Sequence, residues 1–424
     1  MIRRLFGNRI AKFPPETVMS INSAAECEPR EADLTAMDVD AIWNAVVALY
    51  KTRMHPAIAL CVRRHGKVVL DRAIGHARGN APADGPDVAK TPATYDTLFN
   101  LFSASKAMTA MLIHLLVERG LIDLDRPVAT YIPEFAKNGK GAITVRHVLT
   151  HRAGIPSIHK RQVAGAEMLD VLSDHARILD LLCNARPASR PGHRLAYHAV
   201  TGGYLCAEIV RRVTGRGIRD FFAEEVLRPL GFGHLNYGVA ASDLPRVAED
   251  VFAGPPAPPP IDWLYRRALG VGWAEAPRLA SDPRFLMAVV PSGNIIGTAN
   301  EASRFFELLL RGGTLNGVRI FAPETVHRAT AETSNLEIDT TLGFPVRYGT
   351  GFMLGRNRMS MYGPRTAHVY GHLGFTATLA WADPARDLSA CLMTSGKTCV
   401  APGWLDWYEV LSRIARHCTV SPVT

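Results

Sequence analysis

Ser103 and Lys106 stand three residues apart in the stretch Leu101-Phe102-Ser103-Ala104-Ser105-Lys106. The segment that follows, 107–117, is apolar on nearly every side and is broken only by Thr109 and His114. Such a segment reads as a buried helix, with Gly120 just past its end. A spacing of three puts the Ser103 and Lys106 side chains on one helix face. An ammonium buried there is costly unless it is paired or has lost its proton. A free amine in that place can take the proton of the Ser103 hydroxyl. The N–H groups at the helix start can then receive an oxyanion. The pair therefore has the chemistry of nucleophile and base. The plainer alternative is a serine cap beside a snorkelling lysine.

Two later stretches add to it. Tyr197 lies in Ala196-Tyr197-His198-Ala199, just before a helical pattern. A tyrosine there either packs or, with its pKa lowered by a lysine cation, shuttles protons. His372-Leu373-Gly374 opens a late strand, where the glycine lets a substrate lie against the backbone and a following N–H can donate to an oxyanion. His147 and His151 have the spacing of zinc ligands on a helix. No Glu stands beside His147, however, and Ala153-Gly154-Ile155-Pro156 ends any helix there, so no metal is expected. There is no G-x-S-x-G elbow, Walker A loop or dinucleotide fingerprint, which disfavours an α/β-hydrolase, and no cofactor is expected.

The elements that must position these residues fall into three blocks. Apolar, β-rich runs at 57–62 and 68–74 flank His65-Gly66 as a hairpin. The middle, to about 284, alternates helices with loops. Its Gly254-to-Pro260 proline run reads either as a rigid connection or as a flap over an apolar pocket with Trp263, Tyr265 and Trp273. Thr298 with Glu301 forms a capping box, a hairpin of 369–382 and 388–393 turns at 383–387, and Trp404 to Ala415 marks a last amphipathic helix. Strands at both ends with helices between predict an α/β domain built from the two termini, with a helical insertion. The expected division is an N-terminal arm at 1–37, a sheet domain from 38–100 and 285–424, and a mostly helical domain at 101–284.

The chain has 424 residues with hydrophobic content of 47%, enough for a large core. Its net charge of +9 is scattered, with no basic block interleaved with aromatics, so nucleic acid is not an expected partner. Seven cysteines without a C-x-x-C, and a start without an apolar signal core, predict reduced thiols and a cytoplasmic location. Residues 1–13 place Ile2, Leu5, Phe6, Ile10 and Phe13 at helical spacing between basic residues. They read as an arm docked on the protein or a partner copy, or as a weak membrane-surface contact. Residues 16–34 read as a polar linker.

The ordered set Ser103-x-x-Lys106, Tyr197 and His372-x-Gly374 resembles the serine β-lactamase and penicillin-binding protein superfamily. Within it the set is most similar to the class C β-lactamase-related esterases known as family VIII carboxylesterases. Leu121 to Asp125, Leu149-Thr150-His151 and Tyr370 to Gly374 add to the likeness, which runs over about residues 38–415. The resemblance implies an α/β (α+β) fold, an antiparallel sheet flanked by helices plus a mostly helical domain, with the site in the cleft between them. It implies Ser103 as the acylated nucleophile, Lys106 as its activator, and Tyr197 as general base and acid, its phenolate favoured by Lys106. His372 takes the place of a lysine and donates to substrate or to Tyr197. The N–H groups of Ser103 and Phe375, after Gly374, form the oxyanion hole. The second motif departs from the family's Y-x-N, because Ala199 stands where an asparagine holds a substrate amide; His198 is the neighbour that could substitute. A simple ester needs less orientation than a lactam or peptide. The resemblance thus implies a cytosolic esterase for short- to medium-chain esters, a small-molecule partner, and a chain able to form a homo-oligomer. The alternatives are a β-lactamase, D-peptidase or acyltransferase on the same scaffold, or a non-catalytic binding member.

Overall fold

The computed structural model describes residues 8–157, 167–334, 336–399 and 403–420. Its large sheet is antiparallel, with strands in the order Met19–Ile21, Lys67–Arg78, Ala57–Arg64, Leu388–Thr394, Leu379–Asp383, Tyr370–Leu373 and Met353–Leu354. Thr91–Pro92 pairs off Lys67–Arg78. The central strands are buried on both faces, which is why their sequences run apolar instead of alternating. The alternation is one of size. Ile58, Leu60, Val62, Trp381 and Leu392 face the helices Ala36–Lys51 and Gly403–His417. Ala57, Ala59, Cys61, Ala380 and Cys391 face the helix Ala299–Leu310, whose Phe305 and Phe306 fill the space those small residues leave.

The hairpin at His65-Gly66 has positive φ at both turn residues, 51° and 78°, as a tight two-residue turn requires. His65, which lacks glycine's freedom, is held by its Nδ1 at 2.9 Å from Asp387 Oδ2 and by its N–H on Asp387 O. Among the described residues of 101–284 the elements are helices joined by loops, apart from the short strands Asn236–Tyr237 and Val251–Phe252. Asn236–Tyr237 and Phe99–Asn100 both pair with Ile295–Gly297, tying the helix Ser105–Glu118 to the segments before and after it.

Four expectations are corrected. The stretch read as a polar linker contains Met19–Ile21, which extends the sheet edge against Lys67–Arg78. The run 369–382 is two strands, because the chain turns at Gly374 to Thr378 before pairing back. Glu301 does not close a box on Thr298. Thr298 accepts its N–H, but the Glu301 carboxylate reaches the N–H groups of Gly233, His234 and Leu235. Residues 8–13 are not helical. They lie along the domain, with Ile10 N–H on Arg53 O and the Asn8 amide on Phe252 O. The first seven residues of that expected arm fall outside the described residues. No helix among the described residues is long and apolar enough to cross a membrane.

Candidate active site

The chain enters the helix Ser105–Glu118 through a short 3-10 turn, Phe102–Ala104. Phe102 has a φ of 49°, a conformation that costs a bulky residue free energy. It is held by its N–H donating to Asn100 Oδ1 at 2.9 Å. This turn aims Ser103 outward while Ser105 is consumed inside, its hydroxyl accepting Ile295 N–H at 2.9 Å.

Lys106 Nζ lies 3.0 Å from Ser103 Oγ, 2.8 Å from Ala199 O and 2.9 Å from Ser292 O. Burial pushes its pKa well below the usual lysine value. The geometry accommodates the neutral form. A neutral amine has two N–H groups and one lone pair. The two carbonyls can only accept, so they take the N–H groups and the lone pair is left for the Ser103 hydroxyl.

Tyr197 is buried beside this pair, its ring 4.8 Å from Lys106 Nζ and its hydroxyl hydrogen-bonded to Ser103. Burial raises its pKa, the bond to Ser103 pulls it back, and the Asp339 carboxylate adds to the rise. The resting side chain is therefore a phenol. The expected phenolate is corrected, because burial favours the neutral phenol.

His372 is fully buried and its ring lies 6.2 Å from that of Tyr197. Its Nδ1–H donates to Leu373 O at 2.8 Å, and Nε2 finds no partner among the described residues. Burial, with Lys106 nearby, pushes its pKa down to about 3. It is thus a neutral ring with a spare acceptor, not the donor expected at this position. His198 turns away from the substrate side. Its ring stacks on His151 at 5.5 Å, and its Nδ1 is 3.4 Å from His151 Nδ1. Burial pushes it to about 3 as well. It does not substitute for the missing asparagine; Ala199 serves the site through its carbonyl instead.

Gly374 packs against the nucleophile turn. A Cβ there would fall 2.4 Å from Leu101 O, so only glycine lets Phe375 follow so close to Ser103. The Phe102 and Phe375 rings meet edge to face at 5.4 Å. Both border a cavity of about 440 Å³ that opens on Ser103 and Tyr197. Its wall comes from Met168 and Leu172, from Ile261 and Tyr265 on the helix Pro259–Leu269, from Trp273, and from Phe344 and Trp404 at the partly exposed rim. The proline run therefore leads into a cavity wall. Among the described residues, no Asp, Glu, Lys, Arg or His lines this cavity.

Three supporting residues were not read from the sequence. Asp339 accepts the N–H of Tyr197 at 3.0 Å, those of Thr341 and Leu342, and the Tyr348 hydroxyl at 3.2 Å. Asp before Thr-Thr-Leu-Gly signals a local turn, but nothing in it points to Tyr197. Ser292 offers its carbonyl to Lys106 and its hydroxyl to Val200 O at 2.7 Å. His151 leans on Tyr197 at 4.7 Å between ring centres. His147 is spent on the cap of the helix Val145–Leu149, where Thr144 N–H donates to its ring. No group of three or more candidate metal ligands converges among the described residues.

The chain as a whole is similar to known proteins. The family model described as Beta-lactamase matches residues 44–412. The esterase/beta-lactamase LipL of Mycobacterium tuberculosis is 32% identical over 364 residues, 82% of this chain and 79% of that protein. Esterase EstB of Burkholderia gladioli is 28% identical over 88% of this chain and 94% of its own. The crystal structure of a family VIII carboxylesterase superposes with a TM-score of 0.76 at 27% identity, covering 91% of this chain and 99% of that one. With the family model matched over most of its length, the chain belongs to the beta-lactamase family.

Proposed function

We propose that the protein is a serine carboxylesterase that hydrolyses uncharged, short- to medium-chain esters through an acyl-enzyme on Ser103. The observation that carries this reading is the buried Lys106 amine, held by two carbonyls 3.0 Å from Ser103 Oγ, beside a cavity with no charged lining among the described residues. Ser103 Oγ attacks the ester carbonyl carbon as its proton passes to Lys106 Nζ. The carbonyl oxygen becomes an oxyanion against the N–H groups of Ser103 and Phe375. Tyr197, bonded to Ser103, relays the proton to the departing alkoxide, and the C–O bond to the alcohol breaks. Water then gives a proton to the same base and attacks the acyl carbon, and Ser103 Oγ leaves with that proton.

An anionic lactam or a peptide carboxylate finds no counter-charge among the described residues that line the cavity. His372 is neutral where a lysine would stand, and Ala199 has no amide to offer. Free cysteines support a reducing, cytoplasmic location, including Cys61 and Cys391, which oppose each other across two strands. The test is a panel of p-nitrophenyl esters, a chromogenic cephalosporin and a D-amino acid amide, with peptide mapping of a fluorophosphonate adduct. The neutral esters should be turned over fastest and the label should sit on Ser103. Turnover of the cephalosporin ahead of the short esters, or a label on Ser105, would overturn the reading.

A further inference from the structure

A second buried lysine lies on the far side of the nucleophile turn and takes no part in the steps above. Lys397 and Asp250 are 0% and 5% exposed in their side chains, and Nζ stands 3.2 Å from Oδ1. Neither residue lines the substrate cavity. Their backbones are locked together, since Gly396–Lys397 pairs in parallel with Val251–Phe252. Ser281 clamps the Asp250 main chain, accepting its N–H at 2.9 Å and donating to its carbonyl at 3.1 Å. An ion pair this dry is not a stability device by default, because desolvation offsets most of its attraction and an apolar pair of similar volume often does as well.

What distinguishes this pair is what the ammonium touches. Nζ lies 4.6 Å from the centre of the Phe102 ring, the residue whose left-handed backbone aims Ser103. It also donates to Thr394 O and lies 3.5 Å from Thr378 Oγ1. Thr378 backs the opposite segment, its carbonyl accepting Gly374 N–H at 2.7 Å and its own N–H donating to Thr376 O at 2.7 Å. One ammonium thus contacts both strips of chain that carry the oxyanion donors of the proposed mechanism: the turn ending in Ser103 and the bend holding Phe375.

We propose that Lys397, fixed by Asp250, is a positioning residue that sets the spacing between the Ser103 and Phe375 N–H groups. The cation–π contact holds the Phe102 side of the hole, and the Thr378 and Thr394 contacts hold the Phe375 side. Asp250 keeps the ammonium aimed between them. This rests on the reading of Ser103 as nucleophile.

The test compares S103A, K397M, the apolar double variant K397M/D250L, and T378V, which only trims the contact on the Phe375 side. The double variant leaves no unpaired buried charge, so its fold is protected. Turnover of a neutral p-nitrophenyl ester and affinity for an alkylboronic acid, a mimic of the tetrahedral adduct, are measured beside the melting temperature. K397M and the double variant should lose about 10- to 100-fold in kcat with KM within about threefold, less than removal of an oxyanion donor costs. Boronate affinity should fall by a similar factor, even where the double variant melts like the parent. T378V should lose about three- to tenfold in kcat without a shift in melting. Wild-type kcat and boronate affinity in a folded double variant or in T378V would overturn the assignment. Retained turnover in S103A would instead overturn the nucleophile on which it rests.

Discussion

At the scale of single residues, the decisive feature is a lysine with no acid beside it. Lys106 is buried against two carbonyls and a hydroxyl, and burial disfavours its charged form and takes its pKa well below the ordinary lysine value. In the proposed mechanism the free base is the form that accepts the Ser103 proton. Activity should therefore fall as pH drops through that lowered value and hold on the alkaline side, where an unperturbed lysine would still be charged. Lys106→Arg should lose on the order of 10³-fold or more in kcat, because a guanidinium stays protonated and cannot accept the Ser103 proton. A pH–rate profile of the parent and a single-turnover assay of K106R check both points. An acid limb absent from the parent, or an active K106R, would show that another group is the base. His372 is the candidate such a result would implicate, since its Nε2 is a neutral acceptor left without a partner among the described residues.

At the scale of elements, the sheet is closed by helices from the two ends of the chain. The helix Ala36–Lys51 starts on a reciprocal box, Thr35 Oγ1 with Asp38 N–H and Asp38 Oδ2 with Thr35 N–H at 2.8 Å. The other oxygen of Asp38 takes His417 Nδ1 at 2.8 Å, at the end of the last helix. The bonds from Thr35, with the smaller contribution of His417, hold the Asp38 carboxyl down at about 2. A carboxyl lowered on folding stabilises the fold above its ordinary range near 4 and loses that contribution as pH falls toward 2. Asp38→Asn should cost about 0.5–2 kcal/mol at neutral pH, the usual worth of such a cap, and flatten the acid side of the melting curve. Unchanged melting at pH 7, or an identical acid dependence, would mean that this junction is not held by its charge.

Most of these elements were legible in the sequence, because the nucleophile helix, the first hairpin and the last helix each combine a clear period with turn residues at their ends. The edge strand Met19–Ile21 was not. Three residues in a polar stretch carry no period, and only their pairing with Ile74, Ala73 and Arg72 makes them a strand. The site divided the same way. Ser103, Lys106 and Tyr197 follow from local spacing and motif order. Asp339 and Lys397 act on residues far from them in sequence, and no local pattern records such a contact.

At the scale of the whole molecule, the charge and the cavity are separate. A surplus of +9 can draw anions toward the surface and raise encounter rates, an effect that salt screens. Among the described residues no charged side chain lines the cavity, whose wall is mostly apolar. A site of about 440 Å³ is large for an acetyl group and falls in the range that small organic ligands fill. Each further methylene of an acyl chain that finds the wall gains at most about 0.8 kcal/mol, or roughly fourfold in kcat/KM. The activity should therefore climb along the series from acetate toward octanoate at constant ionic strength. Leu172, buried at the end of the helix Glu167–Ser173, borders this space. Leu172→Trp should fill part of it, leaving acetate turnover within about threefold and cutting octanoate by about tenfold or more. An optimum at acetate that L172W does not move would place the acyl group outside the cavity, with the alcohol in it. A matched set of acetate esters with lengthening alcohols, run on both proteins, separates the two orientations.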